Sequence, residues 1–161
     1  MAKHTIEKMA NSYTQIYIQF VFAVKYRSSV ISERWETDLY KYISGIVQNN
    51  NHKMLCINGT SDHIHLLIGF HSTQSIADLM RDVKANSSKW INDNKLTVDK
   101  FEWQTGYGAF SYSQSQVGNV IHYINDQKQH HQQHTFLDEY GNILEKFEIE
   151  HNTEFSFKDL I

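Results

Sequence analysis

The predicted elements follow the order β-α-β-β-α-β, and apolar residues alternate along the strands, which together predict an α+β fold. This order is typical of a ferredoxin-like or RRM-like sandwich, in which an antiparallel sheet carries helices on one face. A chain of 161 residues with 40% hydrophobic residues suits one domain with a real core. We predict an N-terminal extension at residues 1–11, a domain at 12–135 and an acidic tail at 136–161.

The first half of this order begins with residues 14–24, where the even positions are apolar as expected of a half-buried strand. A helix should follow from an N-cap at Ser32, with Leu39, Ile43 and Val47 at helical spacing, and end in the Asn-rich turn at 49–51. Residues 53–58 read as a second strand. A turn at 59–61 then leads into a third strand that contains His63.

The second half begins with an N-cap at Ser75, which resembles a capping box and opens a helix that packs through Ile76, Leu79, Met80, Val83 and Trp90. On this helix Arg81, Lys84 and Lys89 should point largely outward. A short fourth strand is predicted at 109–113. A last helix should start at a Ser115 cap and run to about His131.

Composition limits the functional classes. The single cysteine, Cys56, excludes an internal disulfide framework and suits a reducing compartment. There is neither an apolar run long enough to cross a bilayer nor a signal peptide at the N-terminus, so we expect a cytoplasmic protein without a membrane partner. The net charge of −3 argues against strong, indiscriminate DNA binding, although the acidic residues concentrate after Phe136.

A histidine pair is the first candidate for a site. His63 and His65 flank Ile64, so both imidazoles should leave one face of the strand, about 7 Å apart along it, while Ile64 and Leu66 leave the other. Such a pair is a half-site for a divalent metal, although His-x-His also occurs by chance. Tyr123 and Gln127 lie four residues apart and should share one face of the last helix.

Longer stretches carry a family resemblance. They are residues 103–115, residues 120–127 followed by His130 and His131, residues 24–27, residues 62–67 and residues 84–92. In order and spacing these stretches closely resemble the single-tyrosine HUH transposases of small bacterial insertion sequences, the IS-two-hundred/IS-six-hundred-five group. The resemblance covers about residues 12–135.

The resemblance implies that His63, His65 and Gln127 hold one divalent cation, Mg²⁺ or Mn²⁺, and that Tyr123 is the nucleophile. Three neutral ligands would leave the positive charge of the cation available to polarise a scissile phosphate. Attack by tyrosine would give a 5′-phosphotyrosine and a free 3′-hydroxyl, and the retained bond energy would allow resealing without ATP. A structural zinc site is disfavoured, because it would want four protein ligands.

The implied partner is single-stranded DNA with a hairpin, together with a homodimer in which active sites can be shared. Backbone contacts are expected from basic side chains. The candidates are Lys25, Arg27, Arg81, Lys84, Lys89, Lys128, His130 and His131, and a solvated surface charge remains the alternative for each.

Three other functions stay open on the sequence. A domesticated relative that processes chromosomal repeat hairpins would share the chemistry. A catalytically silent RRM-like module that binds single strands would not need His63, His65, Tyr123 and Gln127 together. A metal-dependent hydrolase of small phosphoesters would leave Tyr123 without a role.

Overall fold

The computed structural model describes residues 12–149, apart from the side chains of His130, His131 and Gln133. Four strands form one sheet: β1 (Tyr17–Ala23), β2 (Lys53–Gly59), β3 (His63–Gly69) and β4 (Gly108–Tyr112). A short 3₁₀ turn (Lys25–Arg27) follows β1. The helices are α1 (Glu36–Asn49), α2 (Ile76–Asp93), α3 (Gln114–Asn125), α4 (Gln127–Gln133) and α5 (Phe136–Lys146).

The sheet has the strand order β2-β3-β1-β4, and every neighbouring pair is antiparallel. Helix α1 connects β1 to β2, and α2 connects β3 to β4. The predicted α+β fold class is confirmed, but α3 and α5 pack on the face of the sheet that the prediction left without helices. None of the helices between residues 12 and 149 combines the length and the apolar character that a membrane span requires.

Strand alternation divides the core between the two faces of the sheet. Phe20, Ile64 and Leu66 are fully buried on the face covered by α1 and α2. Leu67 faces the other way and packs against Val120 of α3. The alternation therefore places odd-numbered residues of β1 and β3 on the face that carries the site.

Helix α1 begins later than predicted. Its N-cap is Trp35, and the proposed cap Ser32 instead closes the turn before the helix. The backbone N–H of Arg34 donates to the Ser32 hydroxyl at 3.2 Å, and that of Glu36 donates to the Ser32 carbonyl at 3.0 Å. In α2 the predicted cap is correct, since the Ser75 side chain accepts a hydrogen bond from the backbone of Asp78.

The predicted last helix is wrong at both of its ends. It starts from Ser113 rather than Ser115, because Gln116 completes a capping box with Ser113. A cap at Ser115 would have Gly118 three residues later, and glycine has no side chain that could accept a hydrogen bond from the backbone N–H of Ser115. The helix then ends at Asn125, and a non-helical Asp126 separates α3 from α4.

Residues 136–146, part of the segment predicted as an acidic tail, form the docked helix α5. Phe136 and Leu144 are buried in a cluster with Val21, Ala23 and Phe110 of the sheet. The acidic residues Asp138 and Glu145 of α5 are exposed, so the high charge of this segment belongs to its solvent side. The helix covers the same sheet face that carries His63 and His65.

Candidate metal and tyrosine site

The histidine pair lies in the middle of the sheet on the face predicted. His63 is opposite Ala23 and His65 is opposite Val21 in the pairing of β3 with β1. Both side chains are fully buried, and their ring centroids are 5.1 Å apart. The predicted fold has no helix on this face of the sheet. In the structure Phe136 of α5 covers it, with its ring centroid 4.6 Å from that of His63.

Each imidazole is fixed through its Nδ1 atom. Nδ1 of His63 lies 2.6 Å from the Asp62 carboxylate and 2.9 Å from the Thr60 hydroxyl. Nδ1 of His65 lies 2.9 Å from the amide nitrogen of Gln19. The Asp62 carboxylate accepts from Nδ1 of His63, which leaves Nε2 of that ring with a free lone pair for a ligand. The Gln19 amide nitrogen instead donates to Nδ1 of His65, which places the proton of that ring on Nε2, facing Glu139.

The turn that carries Thr60 depends on Gly59, the last residue of β2. A Cβ atom at this position would lie 2.3 Å from the carbonyl oxygen of His63, so a side chain here would displace the backbone of the site. The backbone N–H of Thr60 also donates to that same carbonyl oxygen at 3.0 Å. This turn therefore fixes the backbone position of His63.

A carboxylate that the sequence did not suggest joins the histidines. Glu139 of α5 is 3% exposed, and its Oε1 atom lies 2.8 Å from Nε2 of His65. Its Oε2 atom lies 3.6 Å from Nε2 of His63. The ligand atoms of these three residues all lie within 4.8 Å of one another.

Tyr123 and Gln127 both reach this carboxylate, although α3 and α4 are separate helices. The Tyr123 hydroxyl donates a short hydrogen bond to Oε1 of Glu139. The Gln127 amide nitrogen donates to the same atom at 3.1 Å, and its amide oxygen lies 3.1 Å from Nε2 of His63. The structure thus brings together the four residues proposed from the sequence and adds Glu139.

The electrostatics of the cluster follow from burial and close charge. Burial alone would lower the pKa of His63, but the Asp62 and Glu139 carboxylates outweigh it and raise that pKa to about 9. Burial would raise the pKa of Glu139, but the two histidines hold it well below its usual range. Burial and the adjacent carboxylate both raise the pKa of Tyr123, so its hydroxyl keeps its proton in this arrangement.

The donor set suits a divalent cation. Two imidazole nitrogens, a carboxylate and an amide oxygen converge, and both oxygen and nitrogen ligands of this kind bind Mn²⁺. Oε2 of Glu139 is buried and accepts no hydrogen bond within the described part of the chain. A buried carboxylate oxygen without a donor is expensive, and a bound cation would compensate it.

The signal that could have identified Glu139 is its position on an apolar stripe. Phe136, Tyr140, Ile143 and Leu144 lie at helical spacing in the sequence, and Glu139 falls on the same face. Thr135 also caps this helix, accepting from the backbone of the residue three positions later. The overall acidity of residues 136–161 concealed this pattern.

Three of the basic residues proposed as DNA contacts lie at the His63 end of the sheet. Lys128 of α4 contacts the carbonyl of Gly59 at 3.4 Å and pairs with Glu36 at 3.0 Å. Lys25 and Arg27 belong to the 3₁₀ turn directly after β1, whose last residue pairs with His63.

The other basic residues are placed differently. Arg81 and Lys89 pair with Asp78 and Asp93 on α2, which packs on the opposite face of the sheet from His63. Lys84, expected to point outward, is half-buried. Its ammonium donates to the carbonyls of residues 104 and 106 at 2.6 and 2.7 Å. The side chains of His130 and His131 lie outside the described part of the structure.

Comparison with known proteins identifies the family of the chain. The family described as "Transposase IS200 like" matches residues 12–127, which is more than half of the chain. No match was found among curated proteins.

Two solved structures share the fold. A protein of Deinococcus radiodurans with an ascribed transposase function is similar at 18% identity and a TM-score of 0.59, over 73% of this chain and 95% of that one. A REP-associated tyrosine transposase bound to a REP hairpin is similar at 12% identity and a TM-score of 0.55, over 73% of this chain and 69% of that one. By the extent of the family match, the chain belongs to the IS200-like transposases.

Proposed function

We propose that this transposase cuts and rejoins single-stranded DNA through a covalent 5′-phosphotyrosine at Tyr123. The observation that carries the proposal is the position of the Tyr123 hydroxyl, which contacts the carboxylate shared by His63 and His65. Family membership supports DNA cleavage and joining as the reaction class. The contact supports Tyr123, rather than water, as the group that attacks.

In the proposed step, the phenolic oxygen of Tyr123 forms a bond to phosphorus while the bond from phosphorus to the 3′ oxygen breaks. The phenol loses its proton, and the departing 3′-hydroxyl gains one. The reverse attack by a 3′-hydroxyl restores a phosphodiester and frees the tyrosine, so no external energy source is needed. A phenol with a raised pKa is a poor nucleophile, and its proton therefore needs an acceptor nearby. Glu139 accepts the hydrogen bond of this hydroxyl and so orients it, but its lowered pKa makes the carboxylate a weak base, and the proton passes to water.

His63, His65 and Glu139 would hold one divalent cation, Mg²⁺ or Mn²⁺, and the amide oxygen of Gln127 is the next donor within reach. When bound, the cation supplies positive charge that polarises the scissile phosphate. The Asp62 carboxylate keeps the imidazole of His63 oriented for this role, and ligation by His65 would require the Gln19 amide to turn so that its oxygen accepts from Nδ1.

We further propose a DNA hairpin with single-stranded flanks as the substrate. The solved REP-associated transposase of similar fold is bound to a hairpin, which motivates this choice. On this chain, Lys25, Arg27 and Lys128 lie at the His63 end of the sheet, where a strand entering the site would pass. A homodimer remains part of the proposal on the resemblance of the sequence alone.

A catalytically silent binding module does not account for the site. Such a module binds strands on exposed aromatic and basic residues, and it has no use for two buried histidines that share a buried glutamate. Burying such charged groups costs desolvation free energy, and a binding module would gain nothing from them in return.

The test uses a pool of labelled hairpin oligonucleotides with randomised flanks, incubated with the protein and either Mg²⁺ or Mn²⁺. We expect a covalent protein–DNA band on a denaturing gel, absent with Tyr123→Phe and at least about tenfold weaker with His63→Ala. Tyr42→Phe is the matched control, because Tyr42 lies on α1 beyond the opposite face of the sheet. Persistence of the band in Tyr123→Phe, or no band from the pool with either metal, would refute the proposal.

A further inference from the structure

We propose that the groove between α3 and α5 binds the nucleobase next to the scissile phosphate. The groove is a cavity of about 300 Å³ that opens directly beside Tyr123 and Glu139. That volume is at the lower end of the range of small-ligand sites, which suits one base rather than a larger ligand. The inference rests on the proposed function and adds to it a specificity pocket.

The two walls of the groove have the same spacing. On α3, Gln116 and Asn119 precede Tyr123 by seven and four residues, so all three lie along one side of the helix. On α5, Asn142 and Lys146 follow Glu139 by three and seven residues. The groove therefore leads away from the reacting hydroxyl for about 10 Å, the length of two helical turns.

Amide side chains face the groove from both helices. Asn119 and Asn142 are exposed, and neither side chain makes a hydrogen bond within residues 12–149. An asparagine amide offers both donors and an acceptor, the combination that reads the edge of a base. Because they lie on opposite walls, the two amides can form hydrogen bonds with different atoms along the edge of one base.

Apolar surface in the groove would cover the face of the base. The side chains of Tyr112, Val120 and Ile143 line it between the amides. An extruded base is held by stacking on aromatic or apolar side chains together with hydrogen bonds to its edge. The groove combines both kinds of contact.

The floor of the groove is connected to the metal site. The Tyr112 hydroxyl donates to the amide oxygen of Gln19 at 2.8 Å, and the amide nitrogen of Gln19 lies 2.9 Å from Nδ1 of His65. A base that stacks on Tyr112 would therefore contact a residue that is linked by hydrogen bonds, through Gln19, to the imidazole of His65. Among the described residues that line the groove, Lys146 is the one cation, and it lies at the far end where the next phosphate would follow.

The test is binding of a deoxytrinucleotide with 2-aminopurine at its centre, measured by fluorescence with the Tyr123→Phe protein so that no covalent step occurs. We expect binding to weaken about tenfold when Asn119→Ala and Asn142→Ala are combined, since two base contacts are lost. Asn49→Ala is the matched control, because Asn49 is an exposed asparagine at the end of α1, across the sheet. Unchanged melting temperatures show that the variants fold, as expected for exposed positions.

A second measurement uses the covalent assay with Tyr123 intact. The yield should depend on the base that flanks the scissile phosphate, and the two asparagine substitutions should remove that preference while an abasic substrate is still cut. Equal trinucleotide binding by the Asn119→Ala, Asn142→Ala protein and its control, or no binding at all, overturns the groove assignment. A covalent band without any effect of the asparagines refutes the groove alone. Asparagine-dependent binding without a covalent band refutes the proposed chemistry alone.

Discussion

At the scale of a single residue, Glu139 adds a negative charge to the site. The family resemblance implied neutral ligands, two histidines and a glutamine, which would leave the full charge of a divalent cation facing the phosphate. With a carboxylate 2.8 Å from His65, one unit of the charge of a bound cation would be balanced inside the protein. A hard cation prefers such an oxygen ligand, so the carboxylate should increase affinity for Mg²⁺ and Mn²⁺ at the cost of some polarising power.

Replacement of Glu139 by glutamine should weaken metal binding. We expect Glu139→Gln to bind Mn²⁺ at least about tenfold more weakly in calorimetric titration, because the anionic donor is lost while the volume is kept. Glu145→Gln, an exposed position on the same helix, should bind as the wild type does. If Gln127→Ala weakens Mn²⁺ binding and Glu139→Gln does not, the neutral ligand set proposed from the sequence is the correct one.

Lys84 provides a test of pH dependence away from the metal site. Burial lowers the pKa of its ammonium to about 8, below its usual value of 10.5. Between these two values the unfolded chain binds more protons than the folded one, so the free energy of unfolding should rise with pH through this window. We expect the wild type to gain stability relative to Lys84→Met as the pH increases from 8 to 10.5, measured by urea unfolding. A difference that stays constant or falls over this window would contradict the assignment.

At the scale of elements, the N-terminal cap of α3 stabilises the helix that carries Tyr123. Ser113 and Gln116 form the capping box, whereas Ser115 lies inside the first turn. Tyr123 is ten residues from the cap, so fraying at the start of the helix would not move the tyrosine. Loss of the cap would nevertheless destabilise the whole first turn. Removal of the cap should therefore lower the stability of the fold without moving Tyr123.

Ser113→Ala should lower the free energy of unfolding by about 1 kcal/mol, the usual effect of removing a serine cap. Ser115→Ala should have a smaller effect, since its hydroxyl contributes a single hydrogen bond to Ser113 at 3.0 Å. Chemical unfolding of both variants checks the order. The reverse order would indicate that the helix begins where the sequence suggested.

Much of the fold could be predicted because apolar residues alternate along its strands, although both faces of β1 and β3 are buried in the structure. Phe20 and Ile64 alternate with polar or site residues, and this period of two fixes both the element and the face. The break at Asp126 could not be predicted, since residues 120–131 contain no proline or glycine to mark it. Helix α5 was missed because charge on its solvent side dominated the composition of the segment.

In the site, the two histidines were predictable because their spacing needs only the strand, whereas Glu139 depends on how a distant helix docks. Sequence spacing also placed Tyr123 and Gln127 on one helix face, and they do meet, although on two helices. Their meeting point is the carboxylate rather than a shared helical surface. Tertiary packing, not local periodicity, determined this part of the arrangement.

At the scale of the whole molecule, one chain contains every group of the proposed site. The Tyr123 hydroxyl reaches the carboxylate that contacts His63 and His65 of the same chain. The resemblance of the sequence implied a homodimer in which subunits can exchange their tyrosine helices. The arrangement in the structure predicts instead that each chain uses its own tyrosine.

A mixing experiment distinguishes these arrangements. Equal amounts of Tyr123→Phe and His63→Ala proteins, combined before DNA is added, should give no more covalent product than each protein alone. A mixture of each variant with the wild type serves as the control for inhibition. Recovery of product in the mixture of the two variants would show that the tyrosine acts in the site of a partner.

The docking of α5 has a further consequence for how the protein responds to metal. Phe136, which covers His63, and Glu139, which reaches both histidines, lie on the same helical turn. Release of this turn would remove the cover and the carboxylate in a single event, so cation binding and helix docking should stabilise each other. Cleavage by a protease at the exposed connection of His134 and Thr135 should therefore slow when Mn²⁺ is added. The rate of this cleavage would then report the fraction of protein that holds the metal.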